Sequence, residues 1–211
     1  QVTFTNGFYF AKYEIVVAQH EACQSEGACS SPSTAGADAF GWGTNSSTNH
    51  GPSHPQNGLN WQQAREFCAW VGTGGRLPSE SEWEYAANGP VHTKYPWGNG
   101  PEPSCSNNTA VFNEAGGASG YGCGTGGTWP VGSKTAGMSW SGALDMSGNL
   151  NEWNEDWYHS DYTGAPTDGS AWVSPTGIYR VIRGMGFDAP VGLRSSYRDS
   201  DGPLAMAARS G

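Results

Sequence analysis

The sequence predicts an α+β fold in a single, loop-rich domain, and three observations carry that reading. A chain of 211 residues suffices for one domain with a sizeable core, whereas two independent domains would each be small. With 32 Gly, 13 Pro and only 14% charged residues, little sequence remains for long regular elements, and the 10 Trp must supply core area that short elements cannot. Short strand-like stretches are mixed with two or three helix-like ones.

Taken in chain order, the opening VTFTNGFYFAKYEIVVAQ, Val2 to Gln19, alternates as a strand should before passing into a short helix. Between Ala28 and Gly58 the composition approaches low complexity, and its two aromatics with Pro52 and Pro55 predict a long ordered surface loop. In WQQAREFCAWVG, Trp61, Ala64, Cys68 and Val71 share one helical face, so Cys68 reads as buried and unpaired. LPSESEWEYAANG carries a capping box: Ser79 can cap a helix while Glu82 reaches back three residues later, and Asn88-Gly89 ends the run. LDMSGNLNEWNEDWY, Leu144 to Tyr158, has no helical or strand period. Its acids, amides and glycines suit a hard cation. GIYRVIRGMGF reads as a buried strand running into a glycine turn.

Charge narrows the partners. A net charge of −9 with ten scattered basic residues argues against phosphate backbones, so nucleic acid is not expected. No run of about 18 apolar residues exists, so no membrane span is expected. The chain begins at Gln1 without Met, as a mature product does after signal-peptide removal. Of five cysteines, Cys23 with Cys29 and Cys105 with Cys123 flank irregular loops that a disulfide could staple, each bridge contributing roughly 3 kcal/mol for a loop of about 15 residues. Disulfides suit a secreted, periplasmic or cell-surface protein.

GGRLPSESEWEYAA, YPWGN, TWPVGS, GALDMSGNLNEWNEDWY, YRVIRG and LRSSYR occur in the order and spacing of the formylglycine-generating enzyme, or sulfatase-modifying factor, family. The chain resembles that family from about Gly7 to Gly211. The resemblance implies one domain over residues 1–211 with a C-type-lectin-like fold of the loop-rich, calcium-stabilised kind. The chain departs from the pattern by stopping at ARSG, where members continue with Phe-Arg.

The resemblance also implies a Ca²⁺ site. Family members hold calcium with a side chain, two carbonyls and a Glu, and the matching positions here are Asp145, Gly148, Leu150 and Glu152. Extended backbone puts alternate residues on one side, so the Gly148 and Leu150 carbonyls can converge with the Glu152 carboxylate while Asp145 reaches across the turn. The alternative is that Asp145, Asn149 and Glu152 hydrogen-bond the turn's own backbone. A possible second calcium site matches at Asn108 and the Thr109 carbonyl. Its carboxylate position falls near Cys123, where a disulfide can replace the ion.

Catalysis is where the resemblance breaks. Formylglycine-generating enzymes hold copper with two thiolates in the stretch after the YRVIRG motif, and the corresponding stretch here contains no cysteine. Copper is therefore not expected. Iron is not expected either, because His50 and His54 are separated by Gly51 and Pro52 and cannot share a helix face, while His20, His92 and His159 read as surface residues. Asp199 and Asp201 in YRDSDGP read as a turn rather than a glycosidase pair.

A binding module remains. Among framework residues Arg183, Gly184, Arg194, Ser195, Arg198 and Arg209 lie Met185, Phe187, Asp188, Val191, Tyr197, Asp199, Asp201, Leu204 and Met206, a mixture without period. Irregular residues on loops held by a rigid scaffold are how recognition surfaces are built. The pattern is similar to the variable proteins of diversity-generating retroelements, which display a randomised C-terminal patch on this fold. The sequence thus predicts a calcium-stabilised, non-catalytic domain that binds a protein or glycan ligand. Two alternatives stand beside it: an oxidoreductase of the same family with atypical ligands, and a structural surface or assembly protein.

Overall fold

Local signals start the helices where side chains can satisfy the free N–H groups. The computed structural model describes residues 2–32, 44–46 and 48–205, and among these lie helices α1 (Val17–Ser25), α2 (Trp61–Val71) and α3 (Glu80–Asn88). Helix α3 has the capping box read from sequence: the Glu82 N–H donates to Ser79 Oγ at 3.1 Å and the Ser79 N–H donates back to Glu82 Oε2 at 2.8 Å. Asn60 and Gln63 repeat the exchange at the start of α2, with both bonds at 2.9 Å. Helix α3 stops at Gly89, whose φ of +61° suits glycine and whose missing side chain makes room for the Trp140 ring.

Three antiparallel strands follow, β1 (Glu152–Trp157), β2 (Arg180–Arg183) and β3 (Asp199–Asp201), in the spatial order β1-β2-β3. Strand β2, between two neighbours, is buried at all four positions. The buried Trp61, Ala64, Leu77, Trp153 and Ile182 pack α2 against the sheet, and Trp83, Ala86, Ala87, Ala143 and Met146 pack α3 against the loop before β1. Each large indole also ties down irregular chain, because a buried ring N–H needs an acceptor. Trp61 donates to the Asn154 carbonyl at 2.9 Å and Trp153 to the Leu59 carbonyl at 3.0 Å.

Several expectations are corrected. The opening alternation forms no strand among the described residues, since only an isolated bridge joins Val16 to Pro55. The loop expected between Ala28 and Gly58 lies at the surface through most of its described residues and dips inward only at Asn45 and from Pro55 to Gly58; residues 33–43 and 47 lie outside the described residues. On α2 the buried face uses Phe67, while Val71 is exposed and Cys68 half-buried. Asp199 to Asp201 form β3 rather than a turn. His20 is fully buried, and His159 stacks on Trp172 at 3.6 Å between ring centroids. Both expected disulfides, Cys23–Cys29 and Cys105–Cys123, are formed, and Cys68 is free.

The C-terminal third is fastened to α3 by Glu80. Its Oε1 accepts from Arg183 Nη1 at 2.8 Å, Arg198 Nε at 2.8 Å and the Tyr162 hydroxyl at 2.9 Å, and its Oε2 accepts from Arg198 Nη2 at 2.8 Å. Arg183 is fully buried and also reaches Glu84 and the Ser195 carbonyl. Removing one member of such a buried set strands the others' charge. Glu80→Gln should therefore cost about 3 kcal/mol, read as a lower urea midpoint at unchanged slope. A midpoint equal to that of the parent would show that the arginines find other partners.

Candidate functional site: a buried acidic loop and a C-terminal face

The loop from Asp145 to Glu152 is shaped by left-handed backbone. Asp145, Gly148 and Asn149 have φ of +64°, +89° and +67°. Gly148 is required twice over, since a Cβ there would also lie 2.4 Å from the Val111 carbonyl oxygen. Cross-chain bonds hold the loop: Gly148 N–H donates to Gly184 O at 3.0 Å, Asn149 N–H to Val111 O at 2.8 Å, and Phe187 N–H to Asn149 O at 2.8 Å. No donor among the described residues reaches the carbonyls of Gly148 or Leu150.

Two of the sequence-identified acids, Asp145 and Glu152, are brought into this loop with a third that sequence reasoning missed. Glu14 accepts from the Leu150 N–H at 2.9 Å and from the Asn149 amide at 2.7 Å, using both carboxylate oxygens. Asp145 accepts from the Gly132 N–H at 2.6 Å, and Glu152 accepts from the Trp83 indole. Burial pushes Asp145 up to about 6. Burial, joined by the Asp145 charge, pushes Glu152 up to about 7 against the Trp83 hydrogen bond, which lowers it. Glu14 is raised well above the carboxylate range by burial first and then by the charges of Asp145 and Glu152. None of the three has an ion-pair partner among the described residues. The loop thus gathers buried carboxyl groups and bare carbonyl oxygens with no cation beside them among the described residues.

Among the described residues no three His, Cys, Asp or Glu side chains are placed to hold one ion together. A set of two carboxylates and two carbonyls is not subject to that count, and with its oxygens already occupied Glu14 supports the loop. The signal for Glu14 was a carboxylate within the apolar run of YEIVV.

Asn108 and Thr109 are engaged differently. The Asn108 amide donates to Thr135 Oγ1 at 3.1 Å, and the Thr109 carbonyl lies so close to Gly137 that a Cβ there would come within 2.0 Å of its oxygen. The Cys105–Cys123 bridge spans the same loop.

The C-terminal stretch divides. Val191 and Leu204 are 67% and 75% exposed, Tyr197 and Asp199 are exposed, and Asp188 and Asp201 are half-buried. Phe187 corrects the sequence reading: at 2% exposure it packs with Val111, Tyr121 and Leu150, so it is core. Met185, at φ +63°, is half-buried against Ala110, Phe112 and Leu193. Met206 and Arg209 lie outside the described residues. Of the framework arginines, Arg183 and Arg198 are locked as described, while Arg194 is exposed. Disulfides consume four of the five cysteines, so a pair of free thiolates is not available. No helix among the described residues is long and apolar enough to cross a membrane.

Residues 1–211 match the family model described as Sulfatase-modifying factor enzyme 1-like domain. The chain is 31% identical over 155 residues to a formylglycine-generating enzyme of Thermomonospora curvata, covering 69% of this chain and 48% of that protein. It spans 22% of the length of chlamydial relatives named serine/threonine-protein kinase. Among solved structures, PvdO from Pseudomonas aeruginosa superposes with a TM-score of 0.77 at 27% identity, over 100% of this chain and 80% of that one. Treponema denticola variable protein 1 shares the fold at a TM-score of 0.65 and 22% identity, over 94% of this chain and 80% of that one.

The buried acids set a pH response in chelating buffer. Glu152 holds its proton more tightly folded, at about 7, than an unfolded Glu, so the stability it contributes is fully present below about pH 4 and lost as pH rises through 7. The decline should amount to about 3 kcal/mol, seen as a urea midpoint that falls between pH 5 and 8. Glu152→Gln should remove the Glu152 share of the decline and leave the shares of Asp145 and Glu14, which burial also raises.

Proposed function

Because the chain belongs to the sulfatase-modifying factor family, we propose that it is a calcium-stabilised, non-catalytic member whose C-terminal face binds a protein or glycan ligand outside the cytoplasm. The observation that carries this reading is the division of the stretch after β2. Arg183 and Arg198 are fixed on Glu80, while Val191, Tyr197, Asp199 and Leu204 are exposed around them. A fixed frame with free side chains is the arrangement recognition loops need. The Treponema protein sharing the fold is named a variable protein, and display of changeable side chains from this face is the form of binding proposed here. The two disulfides support an oxidising compartment. The absence of cysteine after β2 argues against copper chemistry of the thiolate kind.

In the same reading, Asp145 and Glu152 hold Ca²⁺ by their carboxylates, and Gly148 and Leu150 by their carbonyls. Hard oxygen donors suit that ion. Buried carboxylates without a counter-charge, beside carbonyls without donors, are what such an ion would satisfy. Bound there, it would neutralise the loop and fix the turn that carries Asn149 to the Phe187 N–H.

Calcium at about 100 times its Kd should stabilise the protein by about 2.7 kcal/mol, and a chelator should lower the Tm accordingly. A Tm indifferent to chelator in the parent protein would reject the ion. For the binding face, the combined change Val191→Ser, Asp199→Ser and Leu204→Ser should leave each site within about 0.5 kcal/mol of the parent stability. It should abolish binding to whichever protein or glycan the parent captures on arrays. Retained binding by the triple variant would move the surface elsewhere.

A further inference from the structure

Phe4 to Ala11 are patterned as a strand and left without a partner. None of their peptide groups exchanges a hydrogen bond with another backbone among the described residues. The chain is nevertheless fastened on both sides: Thr3 N–H donates to Thr167 O at 2.8 Å, and Lys12 O accepts from Leu144 N–H at 2.8 Å. Side-chain exposure keeps the period of two, with Phe8 and Phe10 half-buried and Tyr9 and Ala11 exposed. Beside this run opens a cavity of about 700 Å³, walled by Phe8, Phe10, Phe67, Leu77 and Trp153, with Glu14 and Glu152 also lining it.

Open backbone donors and acceptors next to an apolar cleft are the two things an added strand requires: the backbone supplies the ladder and the cleft takes every second side chain. We propose that this cleft is a strand-acceptor site that binds an extended segment of a partner protein, paired with Gly7 to Ala11, bearing alternate apolar side chains and a Lys or Arg. The basic residue follows from charge. Arg76, the cation lining the cavity among the described residues, is committed to Glu82 at 2.6 Å. Glu14, Glu82 and Glu152 line the cavity with that one arginine, so a basic side chain from the partner would bring Glu14 and Glu152 the cation they lack. A small apolar molecule could fill the volume but would leave the peptide groups of Gly7 to Ala11 unpaired. This site is separate from the C-terminal face and does not depend on it.

The probe is a synthetic seven-residue peptide alternating valine or phenylalanine with lysine, titrated into the full chain by fluorescence anisotropy. Two companions carry N-methyl groups on one or the other alternate set of peptide nitrogens, and a third replaces lysine with glutamate. The lysine peptide should bind and shift the amide resonances of Phe8 to Ala11. One N-methyl set and the glutamate peptide should each bind at least 10-fold more weakly. Val71→Trp, at a 64% exposed position on the cavity wall, should weaken binding similarly while leaving the fold intact. The triple variant of the C-terminal face should bind the peptide as the parent does, so the two sites fail separately. No binding by the lysine peptide, equal binding by both N-methylated forms, or resonance shifts confined to other segments would each overturn the proposal.

Discussion

A single carboxylate, Glu80, holds the irregular half of this domain in place. Its two oxygens accept four hydrogen bonds from Arg183, Arg198 and Tyr162, and its own N–H donates to Asp156 Oδ2 at 2.8 Å. Bonds to charged partners are stronger and better oriented than neutral ones, and an arginine fork fixes direction as well as distance. The result is that β2, the segment around Tyr162 and the approach to β3 are all positioned from the first turn of α3. The chain after β2 is thereby anchored at Arg198 as well as at Arg183.

The acidic loop is the complementary case, in which carboxyl groups are buried without an ion-pair partner among the described residues. Glu80 is neutralised by guanidinium groups, whereas Glu14, Asp145 and Glu152 meet backbone and side-chain N–H groups but no cation among the described residues. Left-handed turns at Asp145, Gly148 and Asn149 expose carbonyls that a ladder would otherwise have used. One end of β1 therefore begins in an electronegative pocket and its other end passes beside the Glu80 hub. The short sheet joins a region stabilised by ion pairs to one whose carboxyl groups have no cation beside them among the described residues.

What could be read from sequence was what local chemistry decides. The Ser79 and Glu82 capping box lies within four residues, and its outcome is visible in the letters. Strand β2 was legible from the β-branched pair Val181 and Ile182 running into the glycine turn at Gly184, although the burial of the flanking Arg180 and Arg183 was not. The opening alternation was misleading because a strand is a pair, and no described segment supplies the second member. Phe187 was misplaced because its position in an aperiodic stretch resembled its exposed neighbours, while its burial comes from Val111, Tyr121 and Leu150 far away in the chain. Glu14 escaped for the same reason: its bonds to Asn149 and Leu150 cross 135 and 136 residues. The motif resemblance carried the acidic loop to Asp145 and Glu152, but not the residue that holds that loop from behind.

The distances in sequence spanned by Glu80 also bear on how the chain reaches its fold. Tyr162, Arg183 and Arg198 lie 82, 103 and 118 residues beyond it. Closing loops of that length must precede the reward of the contacts, which places such topologies among slower folders. During synthesis α3 emerges with its capping box ready but with Glu80 lacking all three partners, and the C-terminal third must arrive before the carboxylate can be shut away from water. The hub is thus completed only after the growing chain has delivered the last of its arginines, Arg198.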